Sequence, residues 1–191
     1  MSKPLPTQRL RSAVPWVIVV AFTGWAVWPL IFTKGYLFGG GLRGDYLRAA
    51  WLYDFVSREL LEGRIPMDFN DFGWPAPISR RVTLPNFVDA AVVAPLHWLL
   101  PWPMQWGATQ AAAVAACAGG MAWMTRSLGA RGLGVVVAGC LGAVLWPTWR
   151  ELHTGHLNTA WLGVTLAAVA AFIDLTRGLG VNAGKAPPLG D

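Results

Sequence analysis

The sequence predicts an all-α integral membrane protein with about four transmembrane helices and an outer loop of amphipathic or interfacial helices between the first and second spans. Three observations carry this. Of 191 residues, 54% are hydrophobic and 13% charged, against roughly 25% charged in an average soluble domain. Apolar runs over 14–32, 104–124, 133–149 and 157–175 each approach the roughly 20 residues that cross about 30 Å of hydrocarbon as a helix, which satisfies its backbone within its own segment. The 12 tryptophans suit the two lipid–water boundaries, where an indole keeps its ring in hydrocarbon and its N–H in water. The net charge of +5 is spread along the chain rather than clustered, so no nucleic-acid partner is expected.

The elements follow in chain order. Residues 1–13 form a cytoplasmic N-terminus carrying Lys3, Arg9 and Arg11. The apolar stretch behind them is too long for a cleaved leader, and no small-x-small site follows Thr33, so 14–33 reads as an uncleaved first span. Lysine and arginine collect in short cytoplasmic segments of membrane proteins. Here they collect before the first span, at Arg126 and Arg131 in the 126–132 connection, and at Arg177 and Lys185 after the last span. Both termini are therefore expected in the cytoplasm, with 34–103 and 150–156 together on the outer side.

The stretch 87–100 tests that count, because it is apolar yet only about 14 residues long, shorter than a span needs. It also contains Asp89, Pro95 and His97. Counting it as a span would place Arg126 and Arg131 outside, so it is expected to lie along the outer surface, anchored by Trp98, Trp102 and Trp106. Earlier in the loop, Asp45 opens a helix that runs through Glu62 and is closed by Gly63 as its C-cap. Leu47, Trp51, Phe55 and Leu60 fall near one face, while Asp54, Arg58 and Glu62 repeat at i, i+4 on another. Pro66, Pro75, Pro77 and Pro85 make 64–85 an ordered loop rich in turns. Residues 104–177 supply three further spans, and 178–191 read as a cytoplasmic tail or linker. Cys117 and Cys140 fall inside spans, where they behave as small apolar residues rather than as a disulfide or metal site.

Gly44-Asp45, a helix ending Leu60-Leu61-Glu62-Gly63-Arg64-Ile65-Pro66, the element Phe72-Gly73-Trp74-Pro75, then Ala94-Pro95-Leu96 and Gly155-His156-Leu157-Asn158 together resemble bacterial membrane glycosyltransferases of the GT-C fold, in the superfamily of the protein mannosyltransferases. The resemblance runs from about the first span to Arg177. It implies a multi-pass protein of the bacterial inner membrane that takes a sugar from a polyprenyl-phosphate donor. The acceptor would lie on the extracytoplasmic side. Such enzymes carry many more spans beyond this point, so the resemblance also implies an N-terminal portion completed by further spans or by a partner subunit.

The residue chemistry can be weighed beside that resemblance. Transfer from a lipid-phosphate sugar needs a carboxylate to accept the acceptor's proton or to hold a divalent metal ion on the phosphate. GT-C enzymes give that role to an acidic residue just after the first span, the place of Asp45; the plain alternative is that Asp45 caps its helix. Arg43, Arg48, Arg80 and Arg81 carry forked donors suited to the donor's phosphate, or else snorkel to lipid phosphates and pair with Asp68 and Asp71. His153 and His156 stand at i, i+3 with Asn158 close behind, as pocket-lining groups, metal ligands or ordinary capping residues. Two functions stay open: the glycosyltransferase, and a non-catalytic multi-span subunit whose outer loop docks a partner. Membrane lipid is a partner in both.

Overall fold

The computed structural model of the chain describes residues 6–32, 45–64, 68–69, 78–79, 90–91, 94–101, 104–154 and 161–178; side-chain surroundings are described for all of these except 6–12, 45–49, 68–69, 78–79 and 153–154. The described chain is helical apart from one short ladder in which Asp68–Phe69 (β1) pairs antiparallel with Ile78–Ser79 (β2). That ladder falls inside the stretch read from sequence as an irregular loop.

Helix α1 (Pro6–Ile31) begins on proline, which loses no hydrogen bond at a first helical position. After α2 (Asp45–Leu61) and a 3-10 turn (Ala94–Trp98) come α3 (Met104–Ser127), α4 (Leu133–Ala143), α5 (Trp146–Thr154) and α6 (Leu162–Gly178). Helix α3 is the centre of the bundle, packing most extensively on α6 and α4 and then on α1. Its inner face is small and polar: Thr109, Gln110, Ala113, Val114, Cys117, Ala118 and Ala122 are all buried.

Close approach of backbones accounts for the small residues. A Cβ added at Gly107 would collide with the Leu30 carbonyl of α1, and one at Gly142 of α4 would lie 2.6 Å from the Cys117 carbonyl. Gly120 of α3 meets Gly163 of α6 in the same manner. Helices in lipid gain little from hydrophobic association, and small residues let them collect van der Waals contact instead. At the far end of this contact the Trp123 indole donates to Asp174 (2.8 Å), and Arg177 donates to the Ser127 carbonyl that ends α3.

Among the described residues two stretches are both long and apolar enough to cross a membrane: Ala13–Ile31, of mean hydropathy 1.8, and Leu133–Leu152, of mean hydropathy 1.4. Only 22% and 33% of them are buried within the chain, whereas the core helix of a soluble protein would be mostly enclosed. Val17, Val20, Trp25 and Trp28 are more than half exposed on α1. The other two apolar runs hold α3 and α6, each of which falls short on one count. Helix α3 is long but lined by polar and small groups, and α6 has 17 residues, about 25 Å at 1.5 Å per residue.

Helix α2 buries more than the apolar positions its spacing picked out, of which Trp51, Phe55 and Leu60 pack against the core. The aromatics Trp51 and Phe55 stack on each other at 5.3 Å and are half-buried, while Ala50, Leu52, Tyr53, Val56 and Ser57 turn fully inward. Contact with both α3 and the 3-10 turn gives those positions the deeper burial. Trp106, expected as an interfacial anchor, is 3% exposed and packs edge-on against Tyr53 at 5.3 Å. Trp98 remains 74% exposed, and Trp102 lies outside the described residues.

Candidate functional site

The first candidate, Asp45, is the residue at which α2 begins. The start of a helix carries free N–H groups and the positive end of the helix dipole. Arg48 lies in the first turn of α2 and His153 in the last turn of α5, all three placed by backbone alone. Arg43, Arg80, Arg81, His156 and Asn158 lie outside the described residues, as do the side chains of Asp45, Arg48 and His153.

What the described residues bring together is a different polar centre, on the inward face of α2. Asp54 takes Arg58 of its own helix at 2.9 Å and His97 Nε2 of the 3-10 turn at 3.2 Å. Ser57, one turn on, donates to the Ala90 carbonyl (3.1 Å). Gln105 at the head of α3 donates to the Leu100 carbonyl (2.7 Å), and Thr109 to Gln105 O (2.9 Å). Ala50, Tyr53, Asp54, His97, Gln105 and Thr109 wall a narrow cleft here. His97 Nδ1 is buried without a hydrogen-bond partner among the described residues. Asp54 lies about 13 Å beyond Asp45 along α2 and half a turn round it at 3.6 residues per turn, so the two positions fall on opposite sides of the helix backbone.

A second charged group closes α2. Gly63 adopts φ +73°; its N–H bonds Leu60 O at 3.0 Å and that of Arg64 bonds Glu59 O at 2.8 Å, the paired bonds of a Schellman cap. The cap sets Arg64 beside Glu59, which it grips with both arms of the guanidinium at 2.7 and 2.6 Å. Those hydrogen bonds hold the Glu59 carboxyl below the usual carboxylate range, against a smaller opposing effect of burial, and raise Arg64. Arg64 also meets Glu62.

Among the described residues no three His, Cys, Asp or Glu groups are placed to hold a metal ion. Of the central contacts, sequence spacing revealed Asp54 with Arg58; His97 had entered only as an argument against a span. No local signal joins it to Asp54, because the two meet through the fold across 43 positions. No protein family, curated protein or solved structure matches the chain.

Proposed function

We propose that this chain is a membrane-embedded glycosyltransferase of the GT-C type, or the N-terminal part of one. It moves a sugar from a polyprenyl-phosphate donor to an acceptor hydroxyl at the water-facing end of the bundle that carries α2. The supporting observation is that an amphipathic helix opens on a carboxylate, Asp45, shortly after the first apolar helix and packs at the head of α3. In this reading the Asp45 carboxylate accepts the proton of the acceptor hydroxyl as that oxygen bonds to the anomeric carbon, or holds a divalent ion on the donor phosphate. The anomeric carbon's bond to phosphate breaks, and polyprenyl phosphate leaves with the electron pair. Arg43, Arg48, Arg80 and Arg81 neutralise the phosphate, and His153, His156 and Asn158 line the pocket.

The same reading places the chain in a bacterial inner membrane as four spans with both termini in the cytoplasm. Its support is the gathering of Arg126, Arg131 and Arg177 at one end of the bundle, where α3 and α6 end and α4 begins, with α2 packed at the other. The test is sugar transfer from a polyprenyl-phosphate donor by the longest reading frame that carries this chain, as wild type and as Asp45→Asn. Asparagine caps a helix as well as aspartate, so folding should hold while the rate falls about a hundredfold or more. Unchanged transfer by the variant removes Asp45 from the chemistry. Absent transfer by wild type removes the reading.

The alternative is a non-catalytic multi-span subunit whose outer loop docks a partner, and α6 offers such a partner a further apolar face. Leu162, Val164, Val169, Phe172 and Leu175 are all exposed, and only Gly163 and Ala170 are buried. It predicts no transfer and a stable complex with a second protein that survives detergent extraction.

A further inference from the structure

The second membrane-length stretch is not one helix. Helix α4 ends at Ala143 and α5 starts at Trp146. Between them Val144 N–H turns back to Leu141 O (3.2 Å) and Leu145 N–H to Gly142 O (3.4 Å), the tighter spacing of a 3-10 turn. The chemical cause is Pro147, which has no N–H for the carbonyl four residues earlier, Ala143 O. A carbonyl freed at membrane depth is costly unless another donor finds it. Here the Trp149 indole donates to Ala143 O at 2.8 Å, replacing with a side chain the backbone bond that proline removes.

The break also faces space. Gly24, Trp25, Trp28 and Pro29 of α1, with Val144 and Trp149, line an open apolar groove of about 710 Å³. Pro29 frees Trp25 O in α1 just as Pro147 frees Ala143 O, so both walls of the groove lack a helical backbone bond at this level. Polar contacts with α3 restrain α5 on its other side: the Thr148 hydroxyl lies 3.1 Å from Cys117 Sγ, and Gln110 donates to Leu152 O at 3.3 Å.

We propose that the 144–145 break is a pivot on which α5 swings towards and away from the groove beside α1, and that the Trp149 indole is the pin holding the position seen here. A hinge needs only a few element-terminal residues to absorb the change in backbone angles, which is what two non-helical residues between rigid helices supply. Helix α5 carries His153 in its last turn, so the pivot sets where that residue stands relative to α2 and α3. The inference is independent of glycosyl transfer.

Amide hydrogen exchange on the full chain in phospholipid nanodiscs tests it, with two variants of opposite effect. In the wild type, amides of 144–152 should exchange faster than those of 134–142. Trp149→Phe removes the pin and should raise exchange in 144–152 about five- to tenfold, the factor for one hydrogen bond, leaving 104–143 unchanged. Pro147→Ala restores a backbone donor and should slow 144–152 towards the rates of α4. Unchanged rates in Pro147→Ala would overturn the pivot. So would a rise in Trp149→Phe spread evenly through 104–152, since the indole would then be a general packing element.

Discussion

Asp54 and His97 are half-buried to buried, with side chains 20% and 13% exposed, and each is satisfied on one side by the other. Cutting such a pair leaves a polar group in a site with little water, which costs more than the intact bond contributes. Asp54→Ala should therefore destabilise the folded chain by about 1–3 kcal/mol, and His97→Ala by a similar amount. The double variant should lose clearly less than the sum, because the two act on one contact. Unfolding in detergent followed by circular dichroism gives all three values; full additivity would show that the pair is not coupled. Glu59 offers a pH-dependent contrast. Its folded value lies below the ordinary 4.5, so its contribution is present above the unfolded value and disappears as pH falls through the lower folded one. Wild type should lose more stability on acidification from pH 6 to pH 3 than Arg64→Ala, in which Glu59 loses the guanidinium that lowers it most and keeps only the weaker pull of Arg58. Superimposable profiles would show that the exposed pair does nothing measurable.

At the scale of elements, the packing of α3 on α6 makes a sharp distinction between neighbours. Gly119 has open space where a Cβ would go, whereas Gly120 faces the backbone of Gly163. Gly119→Ala should stabilise α3 by about 0.5–1 kcal/mol through helix propensity. Gly120→Ala should cost about 1–3 kcal/mol, because backbone cannot yield as a side chain can. Equal effects in thermal unfolding would mean that α6 does not sit where the structure has it. The same elements show what sequence could convey. The start of α2 at Asp45 and its closure at Gly63 were legible because caps are local chemistry. The identity of the most deeply buried positions of α2 was not, because Trp51 and Phe55 are more apolar than Ala50 and Ser57, and only contact with α3 and the 3-10 turn reverses their order. Trp106 was misread for the same reason: an indole near a helix end suits the lipid boundary until Tyr53 arrives to cover it. Asp54 with Arg58 was written in the spacing, but His97 as their partner was written only in the fold. The Asp45 reading rests on chain position and resemblance, and the inward centre at Asp54 gives it no support, standing half a turn away.

For the whole molecule, the question is which end of the bundle meets which compartment. Helix α3 runs from the end where α2 packs to the end where Arg126, Arg131 and Arg177 gather, and in the proposed orientation that positive end is the cytoplasmic one. Within the apolar stretch 87–100, Ala94–Trp98 form a five-residue 3-10 turn that His97 ties to α2, too short a helix to cross a membrane. Labelling with a membrane-impermeant thiol reagent in intact cells tests this arrangement directly. Glu62 and Leu128 are suitable positions, being exposed at opposite ends; Ser127 is not, since it is buried. Native Cys117 is buried and Cys140 half-buried, and alanine at both removes background. Glu62→Cys should react from outside, and Leu128→Cys only after the membrane is permeabilised. The reverse pattern would invert the molecule and move Asp45 to the cytoplasm, away from the side where the proposed transfer takes place. Reaction of both in intact cells would mean that α3 does not separate two compartments. The bundle would then need a partner or a surface, rather than a bilayer, to cover the exposed faces of α1 and α6.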